Sequence, residues 1–175
     1  MTIFRLHFAG QIIATRAHPR LSGISATADG RVFSVRAGTV REVARTKDRL
    51  GYRNVWLRQR SISVHVGVRA HVVVWECFNG DIPDGYEIDH INRDASDNHL
   101  VNLRLATRSQ NLANRAPYGS SGVKGASINR FGKYEAKICG KYIGTYTTPS
   151  AAAAAYDRAA TGKFGQFALT NKRAV

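Results

Sequence analysis

Residues 86–111 read YEIDHINRDASDNHLVNLRLATRSQN, and the division of the chain follows from them. YEIDH alternates apolar and polar residues and suits a strand ending at Asp89–His90. INRDASDNH is crowded with Asn and Asp, side chains that hydrogen-bond nearby backbone, so it reads as a polar loop. In VNLRLAT, Val101, Leu103 and Leu105 share one face, the mark of a second strand. Thr107-Arg108-Ser109-Gln110 has the S/T-x-x-E/Q form of a capping box, in which each side chain satisfies the other's free backbone N–H. A helix is therefore expected from about Arg108, with Asn111 in its first turn or just after. The order is strand, loop, strand, helix.

Four residues in this stretch combine into a chemistry: Asp89, His90, Asn102 and Asn111. Phosphodiester hydrolysis needs an activated water and a stabilised leaving oxygen. A histidine at a strand end can take a proton from water near neutral pH. Asp and Asn supply the oxygen ligands that a hard divalent cation requires, and its charge can stabilise the leaving oxygen. An amide oxygen accepting the histidine's Nδ1–H would orient the ring. The same residue types also serve as ordinary turn and cap formers, and spacing alone does not separate the two readings.

Charge favours the chemical reading. The 175 residues hold 26 Lys and Arg against 12 Asp and Glu, a net charge of +14, which points to a polyanionic partner. Residues 1–75 carry +10, residues 76–112 carry −4, and residues 113–175 carry +8. Cationic arms grip phosphates; an acidic island between them makes sense where it holds a cation. The two cysteines, Cys77 and Cys139, are far apart, which disfavours a disulfide framework and a zinc module. No apolar run approaches the roughly 20 residues of a membrane span. The N-terminus lacks the layout of a signal peptide. The expectation is a cytoplasmic, DNA-associated protein with no membrane partner.

Working outward, GRVFSV and Tyr52–Leu57 read as strands, and Ser61–Val68 reads as a weaker one. AHVVVWECF (70–78) favours strand by its three valines, with a short helix as the alternative. NGDIPDG (79–85) is turn chemistry. Pro, Gly and Ser gather ahead of Gly122, as in a linker. Three strands are expected at about 123–129, 133–139 and 141–147. A helix follows that opens at Thr148-Pro149, runs through the alanines and stops at Gly162.

The stretch VVVWECFNGDIPDGYEIDHINRDASDNHLVNLRLATRSQNLANR resembles the HNH homing-endonuclease family of phages and introns, over roughly residues 70–115. The resemblance implies a ββα-metal (His-Me finger) nuclease core. By position Asp89 and Asn111 would be metal ligands, His90 the general base, and Asn102 the residue that orients it. One Mg2+ or Mn2+ ion per active site is implied. His71 matches a histidine of the family's upstream helix, usually followed by Arg where Val72 stands here. The resemblance also favours a helix at 70–78. Asp97, Asn98 and His99 read as turn formers.

A second resemblance covers residues 121–171. Gly122-Val123-Lys124, Gly132-Lys133-Tyr134-x-Ala136-x-Ile138, Ile143-Gly144-Thr145-Tyr146 and Ala154-x-Tyr156-Asp157-x-Ala159-Ala160 are similar to the Apetala/ethylene-response-factor DNA-binding domain. That implies a three-stranded antiparallel sheet entering the major groove, braced by one helix. Lys124, Arg130, Phe131, Lys133, Lys137 and Tyr142 become the expected DNA contacts. The whole is expected to be α+β: a basic β-rich module (1–69), the nuclease core (70–115), a linker (116–121) and the DNA-binding domain (122–175). The expected function is a metal-dependent endonuclease acting on double-stranded DNA, nicking as a monomer or cutting both strands as a homodimer. The alternative is a DNA-binding regulator with an inactive nuclease fold.

Overall fold

The computed structural model describes residues 3–59, 64–117 and 122–173. The chain forms two compact units, Met1–Ala106 and Thr107–Val175.

In the N-terminal unit, β1 (Ile3–Phe8), β2 (Gln11–Ala17), β3 (Ile24–Ala26), β4 (Val32–Arg36) and β5 (Thr39–Val43) form an antiparallel sheet in sequence order. The strands β6 (Asn54–Gln59) and β7 (Val64–Arg69) pair antiparallel, and α1 (Ala70–Asn79) follows directly. Of the expected Ser61–Val68 strand, residues 61–63 lie outside the described ones. The strand β8 (Tyr86–His90) and, after a 3-10 turn at Leu100–Asn102, the strand β9 (Leu103–Thr107) pair with each other.

The propensity reading of residues 70–78 as strand is overturned: they form α1. Ala70, Val73, Val74 and Cys77 recur at helical spacing and are fully buried, so tertiary packing outweighs the valines' β preference. They join Ile24, Ala26, Val32 and Val55 from the preceding strands and Ile88 and Leu103 from β8 and β9 in one core. Residues 1–69 therefore do not stand apart from residues 70–106. Alone, the five-stranded sheet and the short β8–β9 pair would each leave an apolar face in water; α1 packs against both.

The C-terminal unit opens with α2 (Arg108–Asn114). Its capping box is present: Thr107 Oγ1 accepts from Gln110 N (3.3 Å) and Gln110 Oε1 accepts from Thr107 N (2.8 Å). The strands β10 (Ala126–Ile128), β11 (Tyr134–Ile138) and β12 (Lys141–Tyr146) form an antiparallel sheet, and α3 (Pro149–Phe164) packs on it. Ala136 on the sheet and Ala152, Ala155, Tyr156 and Ala160 on the helix are buried. Gly125, just before β10, has φ +74°, and a Cβ there would lie 1.9 Å from the Tyr156 ring, so only glycine lets the chain pass so close to the helix at this point.

Two boundaries differ from expectation. The helix runs past Gly162 and ends at Gly165, which has the positive φ (53°) that stops a helix. The break between units falls before α2 rather than after it. Lys124 and Leu169 both donate to the Ala113 carbonyl, tying α2 to the C-terminal unit. Of the expected linker, residues 118–121 lie outside the described ones. No helix among the described residues is long and apolar enough to cross a membrane.

Candidate active site and nucleic-acid interface

The end of β8 carries Asp89 and His90 side by side, 4% and 6% exposed. Adjacent strand residues normally point to opposite faces, so one buried strand end offers a carboxylate and an imidazole to two sides. Asp89 Oδ2 accepts from Arg104 on β9, at 2.9 Å from Nε and 2.8 Å from Nη2. A carboxylate this deep needs a cationic partner, and Arg104 supplies it.

The His90 ring is enclosed on several sides. Nε2 lies 3.1 Å from Asn98 Oδ1. The ring of His71, second residue of α1, stands 4.9 Å away at 80°, and Tyr52 stands 6.0 Å away. Burial, followed by the charges of His90 and Arg69, pushes the His71 pKa down to about 3, so His71 is neutral at physiological pH. Arg69 lies over Tyr52, 4.5 Å from its ring centre, and pairs with Asp48, whose carboxyl it holds below its ordinary value.

Asn102 acts on the loop. Its Oδ1 accepts from Asn92 N (3.0 Å), and its Nδ2 donates to Asn92 Oδ1 (3.0 Å) and to the Asp97 carbonyl (2.8 Å). Ile91 N donates to the Asn102 carbonyl (2.9 Å), closing the base of the loop. The amide oxygen beside the histidine is therefore that of Asn98, not Asn102, and it lies against Nε2 rather than the expected Nδ1. Asn98, taken from sequence as a turn former, is the residue that reasoning missed. Its signal was weak, because it is one of four asparagines between Asn92 and Asn111.

Asn111 belongs to the C-terminal unit, where it is half-buried on α2. Among the described residues no three His, Cys, Asp or Glu side chains gather to hold a metal. A hard ion bound through one carboxylate, an amide oxygen and substrate oxygens needs no such cluster; the Asp89 carboxylate and the Asn111 amide oxygen, each in its own unit, are donors of that kind. Most of the acidic island has other duties. Glu76 accepts from His18 Nε2 (2.7 Å) and pairs with Arg20, which also reaches Asp81 (3.1 Å). Asp97 pairs with His99 (2.7 Å) and Asp94 accepts from Ser96 N and Oγ, bonds that lower both carboxyl pKa values.

The C-terminal sheet presents Phe131 (70% exposed) and Tyr142 (61% exposed), with Arg130, Lys133 and Lys137 also exposed. Arg130 stacks on Phe131, 4.7 Å from its ring centre. Asn129 Oδ1 accepts from the N–H groups of Phe131 (2.9 Å) and Lys133 (3.1 Å), shaping the turn that carries them. Lys137 pairs with Glu135 at 3.1 Å. Lys124 departs from the expected set. It is 7% exposed, and its ammonium donates to the carbonyls of Ala113 and Arg115 at the end of α2. It satisfies a helix C-terminus instead of facing solvent.

Residues 68–113 match a family model described as HNH endonuclease. Protein 3.8 of Escherichia phage T7 is 48% identical over 64 residues, 35% of this chain and 53% of that protein. An uncharacterized HNH endonuclease of Acanthamoeba polyphaga mimivirus is 35% identical over 97 residues, 53% of this chain and 51% of that protein. The chain thus spans about half the length of these curated relatives. A solved structure titled for DNA binding and cleavage by the HNH homing endonuclease I-HmuI aligns with a TM-score of 0.44 and 21% identity, covering 52% of this chain and 50% of that one.

Proposed function

We propose that the protein is a metal-dependent DNA endonuclease of the HNH homing type. The observation that carries this reading is the buried Asp89–His90 pair at the end of β8, its loop clamped by Asn102, inside the segment that matches the HNH endonuclease model. His90 takes a proton from the attacking water, whose oxygen bonds to phosphorus as the bond to the 3′ oxygen breaks. The products are a 3′-hydroxyl and a 5′-phosphate. Asp89 and Asn111 would hold one Mg2+ or Mn2+ ion, whose charge would stabilise the leaving oxygen. Arg104 keeps the Asp89 carboxylate oriented and charge-balanced.

The C-terminal unit is the recognition element of this proposal, with an Apetala-type sheet laid in the major groove of double-stranded DNA. Arg130, Phe131, Lys133, Lys137 and Tyr142 form its contact face, combining phosphate-binding cations with exposed rings. The test is incubation with DNA from the protein's own coding locus plus magnesium, with cut ends mapped on each strand. Wild type cuts, and His90→Ala binds equally well but cuts at least about 100-fold more slowly. Wild-type protein that binds DNA and never cuts it, with His90→Ala indistinguishable, would mean a DNA-binding regulator instead.

A further inference from the structure

We infer that Asn98 is the positioning residue for His90, a task separate from the loop clamp of Asn102. The inference rests on the nuclease reading only for its catalytic consequence. Asn98 is 3% exposed, and its side chain's hydrogen bond goes to the His90 ring, while Nδ2 is buried with no partner among the described residues. A buried carboxamide with half its capacity unused is a poor choice for packing alone, where an isosteric leucine would serve better. Its one bond is to the imidazole that the proposed chemistry needs.

The rings of His71 and Tyr52 limit how His90 tilts, but a ring face does not select which nitrogen carries the proton. Asn98 Oδ1, 3.1 Å from Nε2, does: an oxygen can only accept, so it favours the tautomer with the proton on Nε2.

Asn98 is itself held from a distant part of the chain. The turn between β3 and β4 is closed by Gly30 N donating to Thr27 O (3.1 Å), and Leu100 N donates to the Ala28 carbonyl (2.8 Å). Gly30, at φ +88°, lies so close that a Cβ there would be 2.5 Å from the Asn98 carbonyl carbon. The five-stranded sheet therefore serves as the backstop of the histidine's partner.

The experiment has two arms. In the first, ring nitrogen shifts of histidine-labelled wild-type protein are recorded near pH 8, with His90 assigned by its loss in His90→Ala. A proton on Nε2 is expected; a proton on Nδ1 overturns the inference, whether or not the protein cuts DNA. In the second, cleavage and DNA affinity are measured for Asn98→Leu and Asn98→Asp. Leucine should lower kcat by about 100-fold with unchanged affinity, as a displaced reacting group does, and aspartate, which keeps the acceptor oxygen, should recover most of that loss. Equal cleavage by wild type and Asn98→Leu, or equal loss in both variants, overturns it. If Asn98→Leu does not fold, the wild-type spectrum decides alone.

Discussion

Replacing His71 with phenylalanine should flatten the acid side of the stability profile. His71 is 8% exposed, its Nδ1 is buried without a partner among the described residues, and its folded pKa is about 3 against an ordinary 6.5. Its folded pKa lies below its unfolded one, so the unfolded chain takes up a proton first as pH falls through 6.5. Stability is therefore undiminished above about pH 7 and erodes progressively from there toward pH 3. Each pH unit below 6.5 costs about 1.4 kcal/mol, so the loss between pH 7 and pH 5 is about 2 kcal/mol from this one group. Phenylalanine keeps a ring against Tyr52 and His90 and cannot titrate. Urea unfolding followed by tryptophan fluorescence reads the right unit, since both tryptophans, Trp56 and Trp75, lie in Met1–Ala106. The pH 7 to pH 5 loss should be smaller in His71→Phe by about 2 kcal/mol. Equal losses in both proteins would refute a buried neutral His71.

In the C-terminal unit, Lys124→Met should lower stability by about 1–3 kcal/mol, because two helix-end carbonyls lose their charged donor. It should leave the slope of log affinity against log salt for DNA unchanged, whereas Lys137→Ala should reduce that slope by about 1; a reduced slope in Lys124→Met would return Lys124 to the phosphate contacts. The Cys77 thiol is fully buried, and burial first, then the Glu76 charge, pushes its pKa up to about 12, while Cys139 is exposed. A thiol-titrating disulfide reagent should count one fast cysteine in the native protein and a second only in denaturant.

What was legible in the sequence was local. The β8–loop–β9–α2 order follows from alternation in YEIDH and VNLRLAT and from a capping box whose bonds span three residues. The helix α1 was not legible from its own residues, since an unbroken apolar run at 72–75 shows no period until the core reveals which valines are buried. The β1–β2 hairpin was missed for a related reason: its outward face keeps Ile3 and Ile12 at 62% exposure, so the polar half of the alternation is blurred. Lys124 reads like any surface lysine until the fold brings the end of α2 to it.

The site divides in the same way. Asp89 and His90 are set by their place at a strand end, and a short window finds them. Asn98 and Asn102 are chemically identical and four residues apart, so no local rule assigns one to the ring and the other to the loop. The choice is made by the β3–β4 turn some 68 residues upstream of Asn98, through Gly30 and the Ala28 carbonyl. It follows that the N-terminal sheet is part of how the histidine is held, which a reading of residues 70–115 in isolation leaves out. A Cβ at Gly30 would push on the Asn98 and His99 backbone from a sheet that contains none of the proposed catalytic residues, so an effect there on His90 would show that the sheet bears on the histidine through this loop.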